Sequence, residues 1–239
     1  RNSTKSIGAY VVKGTLTNTG TISVGTEGIA ILADATDVNM SGTINLTGNK
    51  AVGFHLESGS TISSTTGTIN VNGNDIVIFN IKNNSSAPLL NSLTINPTAG
   101  STYVLANIDQ GLFTTAAGAL TAASDSVLIS GTKSGVMIGA GTTVTGSGTN
   151  SVALSATQSS AILTLPYTVE AENKGIITLG NNSAAIYVSD GARGLNSSSI
   201  TVGNNSTGIF GKNGNGTGWI KNSGTITVGQ SSQGLYAEN

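Results

Sequence analysis

The sequence predicts an all-β fold: a right-handed, three-sided parallel β-helix (β-solenoid) of about nine rungs. A near-repeat returns about once every 25 residues, from Gly20–Ala35 at one end to Gly224–Asn239 at the other. A fixed period of this size is typical of solenoids, in which each unit stacks on the next. Within the repeat, apolar and polar residues alternate as they do in β-strands, and no helical 3.6-residue periodicity accompanies them.

The first strand of each rung carries an apolar anchor within a G-T-I-x-V pattern. The anchors are Ile22, Ile44, Ile69, Ile95, Leu120, Val144, Ile177, Ile200 and Ile226. Strand alternation places an anchor and the residue two positions later, such as Ile22 and Val24, on one face, which we expect to form the interior. The opposite face is rich in threonine and is expected to meet solvent.

An apolar second strand follows each anchor. Its first residues are Ile29, Val52, Ile76, Tyr103, Val127, Val152, Ile186, Ile209 and Leu235. Alternation predicts that Ile29 and Ile31 share the inward face. A shorter third strand precedes the anchor, as at Gly135–Ile138 and Trp219–Asn222. Three strands per turn predict a roughly triangular section.

Glycine and asparagine hold fixed positions in the turn before the anchor. Glycine stands two residues before it at Gly20, Gly42, Gly67, Gly118, Gly175 and Gly224, where we expect a positive φ. Asparagine stands four residues before it at Asn18, Asn91, Asn173, Asn196 and Asn222. Stacked amides can hydrogen bond from one turn to the next. We therefore predict an asparagine ladder, best formed over the last three positions.

The whole chain, residues 1–239, is interpreted as a single β-helix fragment of a longer protein, because the repeat is cut at both ends. The widest spacing between anchors separates Val144 from Ile177. The surplus falls at 155–167, which we predict to be an excursion between rungs. Its apolar residues Leu163, Leu165 and Tyr167 are candidates for partner binding. An extra packed loop is the alternative.

Composition excludes several classes of function. The chain has ten Lys plus Arg, eleven Asp plus Glu and a net charge of -1, which argues against a nucleic-acid-binding surface and a polybasic membrane patch. It has no cysteine and one histidine, so disulfides and cysteine-based zinc sites are excluded and no Ser-His-Asp set is evident. We expect no cofactor, no metal and no catalytic activity.

Enzymes that cleave polysaccharides on a β-helix need clustered carboxylates or basic residues on adjacent rungs. The closest charged groups in sequence are Asp34 with Asp37, Glu170 with Glu172, and Asp190 with Arg193. We predict no pair of carboxylates on neighbouring strands, so a catalytic site is not expected.

Two outward faces are candidates for binding. Tyr187, Phe210 and Tyr236 occupy the same outward position of successive second strands, where their rings would be spaced for stacking with a sugar or a peptide. The alternative is that the rings only stack on each other and stabilise neighbouring rungs. The outward threonines of the first strand form an array like that of ice-binding solenoids, although threonine is also common on any solvated sheet.

The repeated N-x-G-x-I-x-V-G-x-x-S-x-G-I-Y pattern is clearest at 173–188, 196–211 and 222–237. It resembles the passenger domains of autotransporters of the type V secretion pathway, above all the large fusobacterial autotransporter adhesins. The resemblance implies a right-handed β-helical stalk exported to the bacterial cell surface. A C-terminal barrel, which this sequence lacks, would anchor the stalk in the outer membrane and be its only link to a membrane.

On that resemblance, the chain is expected to be a non-catalytic segment of a secreted bacterial surface adhesin. Such a segment attaches to host cells or other bacteria through surface proteins or glycans, and self-association of neighbouring rods is a variant. Nucleic acid is not an expected partner. A polysaccharide-degrading β-helix enzyme, an ice-binding solenoid and a pure structural spacer remain the alternatives.

Overall fold

The structure, a computed structural model, describes residues 5–89, 93–115, 117–164, 166–212 and 217–238. Across these ranges the fold is all-β, without a helix, and its parallel strands stack in the turns of a β-solenoid, about nine turns in all. The predicted fold class is confirmed. The chain divides into two compact units, Arg1–Leu112 and Phe113–Asn239.

The first unit consists of short strands in parallel ladders. Its strands are β1 (Ile7–Asn18), β2 (Thr21–Val24), β3 (Ile29–Met40), β4 (Thr43–Leu46), β5 (Val52–Glu57), β6 (Thr61–Thr65), β7 (Thr68–Val71), β8 (Ile76–Lys82), β9 (Ser86–Leu89), β10 (Thr94–Pro97) and β11 (Tyr103–Asp109). β12 (Leu112–Thr115) begins at the last residue of this unit.

Three ladders form the sides of the first unit. β2, β4, β7 and β10 pair in that order and align the anchors Ile22, Ile44, Ile69 and Ile95. β1, β3, β5, β8 and β11 form the second ladder. β6 and β9 extend the third, which starts with the second halves of β1 and β3. β3 turns the corner between two sides at Ala35, whose φ is 50°.

The second unit repeats this arrangement. Its strands are β13 (Gly118–Thr121), β14 (Val127–Thr132), β15 (Gly135–Ile138), β16 (Thr142–Gly146), β17 (Val152–Thr157), β18 (Ala171–Asn173), β19 (Ile176–Leu179), β20 (Ala184–Ser189), β21 (Gly194–Asn196), β22 (Ser199–Val202), β23 (Thr207–Lys212), β24 (Ile220–Asn222), β25 (Thr225–Val228) and β26 (Gln233–Glu238).

The ladders of the second unit are also parallel. The first-strand ladder, β13-β16-β19-β22-β25, aligns the anchors Leu120, Val144, Ile177, Ile200 and Ile226. The second-strand ladder is β14-β17-β20-β23-β26, and the third-strand ladder is β15-β18-β21-β24. Ile177 and Ile200 are fully buried, so the anchors form the apolar interior as predicted.

The faces of the second strand differ from the prediction. Ile31 and Phe54 are fully buried, whereas Ile29 and Val52 are only partly covered. Each buried residue follows a small one that is also buried, as Gly53 precedes Phe54. A Cβ on Gly53 would lie 2.7 Å from the carbonyl oxygen of Ile78, so position 53 itself requires glycine, although the equivalent residue one turn later is the large, buried Ile78. Two successive inward residues therefore replace strict alternation at the start of the strand.

The turn glycines serve a different purpose from the one predicted. Of the six, only Gly118 has a positive φ. At Gly42 and Gly67 an added Cβ would collide with the carbonyl oxygen of the glycine one turn earlier, Gly20 and Gly42 respectively. Close approach of backbones between successive turns explains these glycines. The left-handed conformation is taken instead by corner residues with side chains, such as Lys50 and Asp75.

The predicted asparagine ladder is confirmed in the second unit. The Nδ2 of Asn173 donates to the Oδ1 of Asn196 at 2.8 Å, and the Nδ2 of Asn196 donates to the Oδ1 of Asn222 at 2.8 Å. Asn173 and Asn196 are fully buried. Their oxygens also accept turn N–H groups, since Gly175 donates its N–H to Asn173. The ladder thus satisfies buried backbone groups that the turns would otherwise leave unpaired.

Candidate functional site

Three aromatic rings stand in register on the second unit. Tyr187 on β20, Phe210 on β23 and Tyr236 on β26 are successive pairing partners. The ring centroids of Tyr187 and Phe210 are 5.4 Å apart with planes 7° apart, and those of Phe210 and Tyr236 are 5.3 Å apart with planes tilted by 43°. We call these residues the aromatic strip.

The strip faces outward because strand alternation puts its neighbours inside. Ile186 and Val188, on either side of Tyr187, are buried in the interior. Tyr187 and Phe210 are partly exposed, and Tyr236 is 38% exposed. The sequence placed these rings on the outward face, and the structure does the same.

A shallow groove of about 340 Å³ runs beside the strip. One wall is formed by the corner residues Asn150, Asn182 and Asn205. Tyr187 and Phe210 form the other wall. The floor consists of the first residues of three successive second strands, Val152, Ala184 and Thr207. We call this feature the amide groove; the sequence reasoning did not identify it.

The corner asparagines repeat one geometry on each turn. Their φ values are 56°, 53° and 53° for Asn150, Asn182 and Asn205. Asparagine is among the few residues that adopt this left-handed conformation readily. The periodic Asn just before the second strand was the signal that would have revealed this wall.

A serine ladder beneath the corner fixes it in place. The backbone N–H of Ser151 donates to the Oγ of Ser183 at 3.1 Å, and the N–H of Ser183 donates to the Oγ of Ser206 at 3.1 Å. All three serines are buried. Because these bonds link successive turns, the wall of the amide groove is held at a constant spacing.

The predicted excursion begins later than expected. Ser155 and Thr157 lie in β17 and pair with Tyr187 and Ser189 of β20. The inserted segment therefore spans 158–170, between β17 and β18. Of its candidate residues, Leu163 is partly exposed, and Leu165 lies outside the described residues.

Tyr167 is tied to the body of the second unit. Its hydroxyl accepts a hydrogen bond from the Oγ1 of Thr114 at 2.7 Å. Burial raises the pKa of the Tyr167 hydroxyl above its ordinary value, although the bond from Thr114 opposes this shift. The ring therefore helps to fix the inserted segment and is less available to a partner than the aromatic strip.

A buried ion pair closes the other end of the inserted segment. Glu170 is fully buried, and its carboxylate accepts hydrogen bonds from the Nε of Arg193 at 2.9 Å and from the second guanidinium nitrogen at 3.1 Å. The backbone N–H groups of Ser160 and Arg193 donate to the same carboxylate, each at 2.9 Å. Burial alone would raise the pKa of Glu170, but these hydrogen bonds together lower it below the ordinary value.

The prediction that no two carboxylates align on neighbouring strands is wrong. Asp34 of β3 and Glu57 of β5 are register partners on the outward face of the first unit. The Nε2 of His55 lies 2.8 Å from the Oε1 of Glu57, and the Nδ2 of Asn80 lies 2.9 Å from the Nδ1 of His55. Asp37 is the neighbour of Asp34 in sequence, but its partner in the ladder is one turn away and is not evident from local spacing.

Within the described ranges, no three or more His, Cys, Asp or Glu side chains are grouped so that they could hold a metal ion. The same part of the chain contains no helix long and apolar enough to cross a membrane.

A second hollow, of about 230 Å³, is lined by Trp219, Lys212 and Val188. Its lining residues Lys212 and Gly218 stand in the sequence on either side of 213–216, which lie outside the described ranges, so we assign it no ligand.

Comparison with known proteins finds no match to a family model, to a curated protein or to a solved structure. The functional argument therefore rests on geometry. Of the candidate residues, the structure brings together Tyr187, Phe210 and Tyr236. Two of them, Tyr187 and Phe210, also line the amide groove. Leu163 and Tyr167 belong to the separate inserted segment.

Proposed function

We propose that the chain is a non-catalytic segment of a bacterial surface adhesin, and that the aromatic strip is its contact surface for host cells or other bacteria. The observation that carries this proposal is the register of three outward rings on successive strands of the second unit. Aromatic side chains bring large contact areas and an apolar surface at low entropic cost, which is why they are enriched in binding sites.

Two buried carboxylates of the second unit are engaged in the fold, whereas the aligned Asp34 and Glu57 of the first unit keep an enzyme as the alternative. The buried carboxylate of Glu170 is held by Arg193. Glu172 is almost fully buried, lies 3.3 Å from the amine of Lys174 and accepts a hydrogen bond from Ser197. Carboxylates engaged in this way serve the fold and are poorly placed to act as a general acid or base. Export to the cell surface comes from the resemblance to autotransporter passengers and is part of the proposal.

The proposal is tested by attachment of beads coated with the purified chain to a panel of host cells and bacteria. We expect Tyr187→Ser, Phe210→Ser and Tyr236→Ser, combined in one variant, to abolish attachment. The matched control carries Thr178→Ser, Thr201→Ser and Thr227→Ser, which change another outward column in the same unit. Circular dichroism spectra and melting curves show whether both variants fold.

Attachment by the folded aromatic variant at the level of the wild type would contradict the contact surface. Failure of the wild-type beads to attach to any cell would contradict the adhesin. Two other results would support the alternatives. Polysaccharide cleavage that is lost in Glu57→Gln indicates an enzyme, and thermal hysteresis that depends on the threonine column indicates an ice-binding solenoid.

A further inference from the structure

We infer that the amide groove binds a neutral oligosaccharide of about disaccharide size, lying along the direction in which the turns stack. This inference rests on the proposed adhesin function and names the chemistry that its contact surface recognises. It stands on three features of the groove: the chemistry of its two walls, its uncharged lining and its fixed dimensions.

The two walls offer different chemistry. Asn182 and Asn205 present side-chain amides, each with two N–H donors and a carbonyl acceptor, whereas Asn150 already donates its Nδ2 to the Oδ1 of Asp125 at 2.7 Å. Tyr187 and Phe210 are stacked on each other, so their ring edges rather than their inner faces border the groove. Sugar hydroxyls both donate and accept hydrogen bonds, and sugar C–H groups need apolar contact. One wall meets the first need and the opposite wall meets the second.

The lining itself carries no charge, and the carboxylate of Asp125, which accepts a hydrogen bond from Asn150 at 2.7 Å, supplies no cation. Every residue that borders the groove in the described structure is apolar, hydroxyl-bearing or an amide. A carboxylated or sulfated sugar would lose hydration of its anion on entering and would gain no cation in return. Lys212, the nearest strand cation in sequence to Phe210, is not part of the lining. The groove therefore selects against acidic glycans.

The dimensions suit a short segment of sugar. The groove volume, about 340 Å³, lies at the lower end of the range for small-ligand sites, about 300–1,000 Å³. The asparagine wall spans three successive turns, which at about 4.8 Å per turn gives a length of about 10 Å, and the aromatic wall spans two of these turns. The serine ladder holds this spacing before any ligand arrives, so little ordering is required on binding.

The experiment uses the intact chain against immobilised neutral oligosaccharides and their sulfated or uronate-bearing counterparts, with calorimetric titration of the strongest binders. Ala184→Tyr fills the floor of the groove without altering the strip. Thr201→Tyr places the same side chain on another outward face of the second unit and is its control. The double variant Asn182→Asp and Asn205→Asp keeps the shape of the wall, because aspartate also tolerates this backbone, but removes amide donors.

We expect neutral ligands to bind the wild type and Thr201→Tyr equally, and Ala184→Tyr at least about tenfold more weakly. The double aspartate variant should lose about two- to tenfold for each hydrogen bond removed. Unchanged affinity in Ala184→Tyr, binding restricted to acidic glycans, or no binding across the panel would each overturn the inference. If Ala184→Tyr does not fold, the double aspartate variant decides.

Failure of this inference can be told apart from failure of the adhesin. If wild type and Ala184→Tyr attach to cells equally while the aromatic variant does not, the groove is not the ligand site and the proposed function stands. If the wild type attaches to no cell, the proposed function fails whatever the titrations show.

Discussion

The two units place the same side chain in two different settings. In the first unit, Asn45, Asn70 and Asn96 form an outward ladder: the Nδ2 of Asn70 donates to Asn45 at 2.8 Å, and the Nδ2 of Asn96 donates to Asn70 at 3.3 Å. In the second unit, the ladder centred on Asn196 faces inward and is buried. The amides repeat from turn to turn in both, but only the inward ladder also serves backbone groups of the turns.

Ion pairs show the same contrast. Glu170 and Arg193 of the second unit meet at 2.9 Å with the Glu170 side chain fully buried. Lys5 and Glu27 of the first unit lie 3.7 Å apart, with side chains 79% and 39% exposed. Water can replace a lost partner at an exposed ion pair but not at a buried one. Breaking the buried pair should therefore lower the free energy of unfolding more than breaking the exposed pair. The contrast teaches that burial, and not repetition along the turns, determines how much a polar group contributes to stability.

The largest expected effect comes from Arg193→Met. This change leaves the buried carboxylate of Glu170 without its cation, which typically costs about 3–5 kcal/mol in the free energy of unfolding. Lys5→Met removes the exposed pair and should cost at most about 1 kcal/mol. Urea unfolding followed by circular dichroism measures both. Equal losses in the two variants would break the comparison.

The next effect is that of Asn196→Ala. It leaves the buried amide of Asn173 and the partly exposed carbonyl of Asn222 without this partner, and we expect a loss of about 2–3 kcal/mol in the free energy of unfolding. Asn70→Ala, the matched change in the outward ladder, should cost less than about 1 kcal/mol because water replaces the lost bonds. A cost for Asn70→Ala as large as that for Asn196→Ala would show that the outward ladder is structural too.

The smallest effect concerns pH. The pKa of Glu170 in the folded protein lies below its ordinary value of 4.5, since its hydrogen bonds outweigh the effect of burial. The stabilisation linked to this shift is therefore complete when the pH is above the ordinary pKa. It is lost as the pH falls through the pKa of the folded protein. In melting curves at decreasing pH, the wild type should lose stability relative to Glu170→Gln once the pH is below about 4.5. A constant difference at all pH values would contradict the shift.

The sequence predicted the stacking well because the stacking is governed by local patterns. The anchors align in the order that the period indicated, including Leu120 and Val144, whose local sequence is the least typical. The ladder at Asn173, Asn196 and Asn222 also follows from the period alone. In both cases, one class of side chain at one fixed offset, apolar for the anchors and amide for the ladder, is sufficient to locate a column.

Features that depend on two different residues one turn apart were missed. Glu170 and Arg193 are separated by 23 positions, one turn, so the charges close to each of them in sequence do not reveal the pair. The amide groove was missed because one wall comes from a corner and the other from a strand. The space between them depends on distances in the folded chain that the sequence does not contain. The role of Gly42 depends on how closely the backbone of the preceding turn approaches it. The preference of glycine for positive φ gives no information about that distance.

One consequence concerns how such a surface can evolve. The aromatic strip gains one ring per turn at a constant step, with Tyr187, Phe210 and Tyr236 in equivalent strands. Insertion or deletion of one whole turn would therefore lengthen or shorten the strip by one ring while the chemistry of each step stays the same.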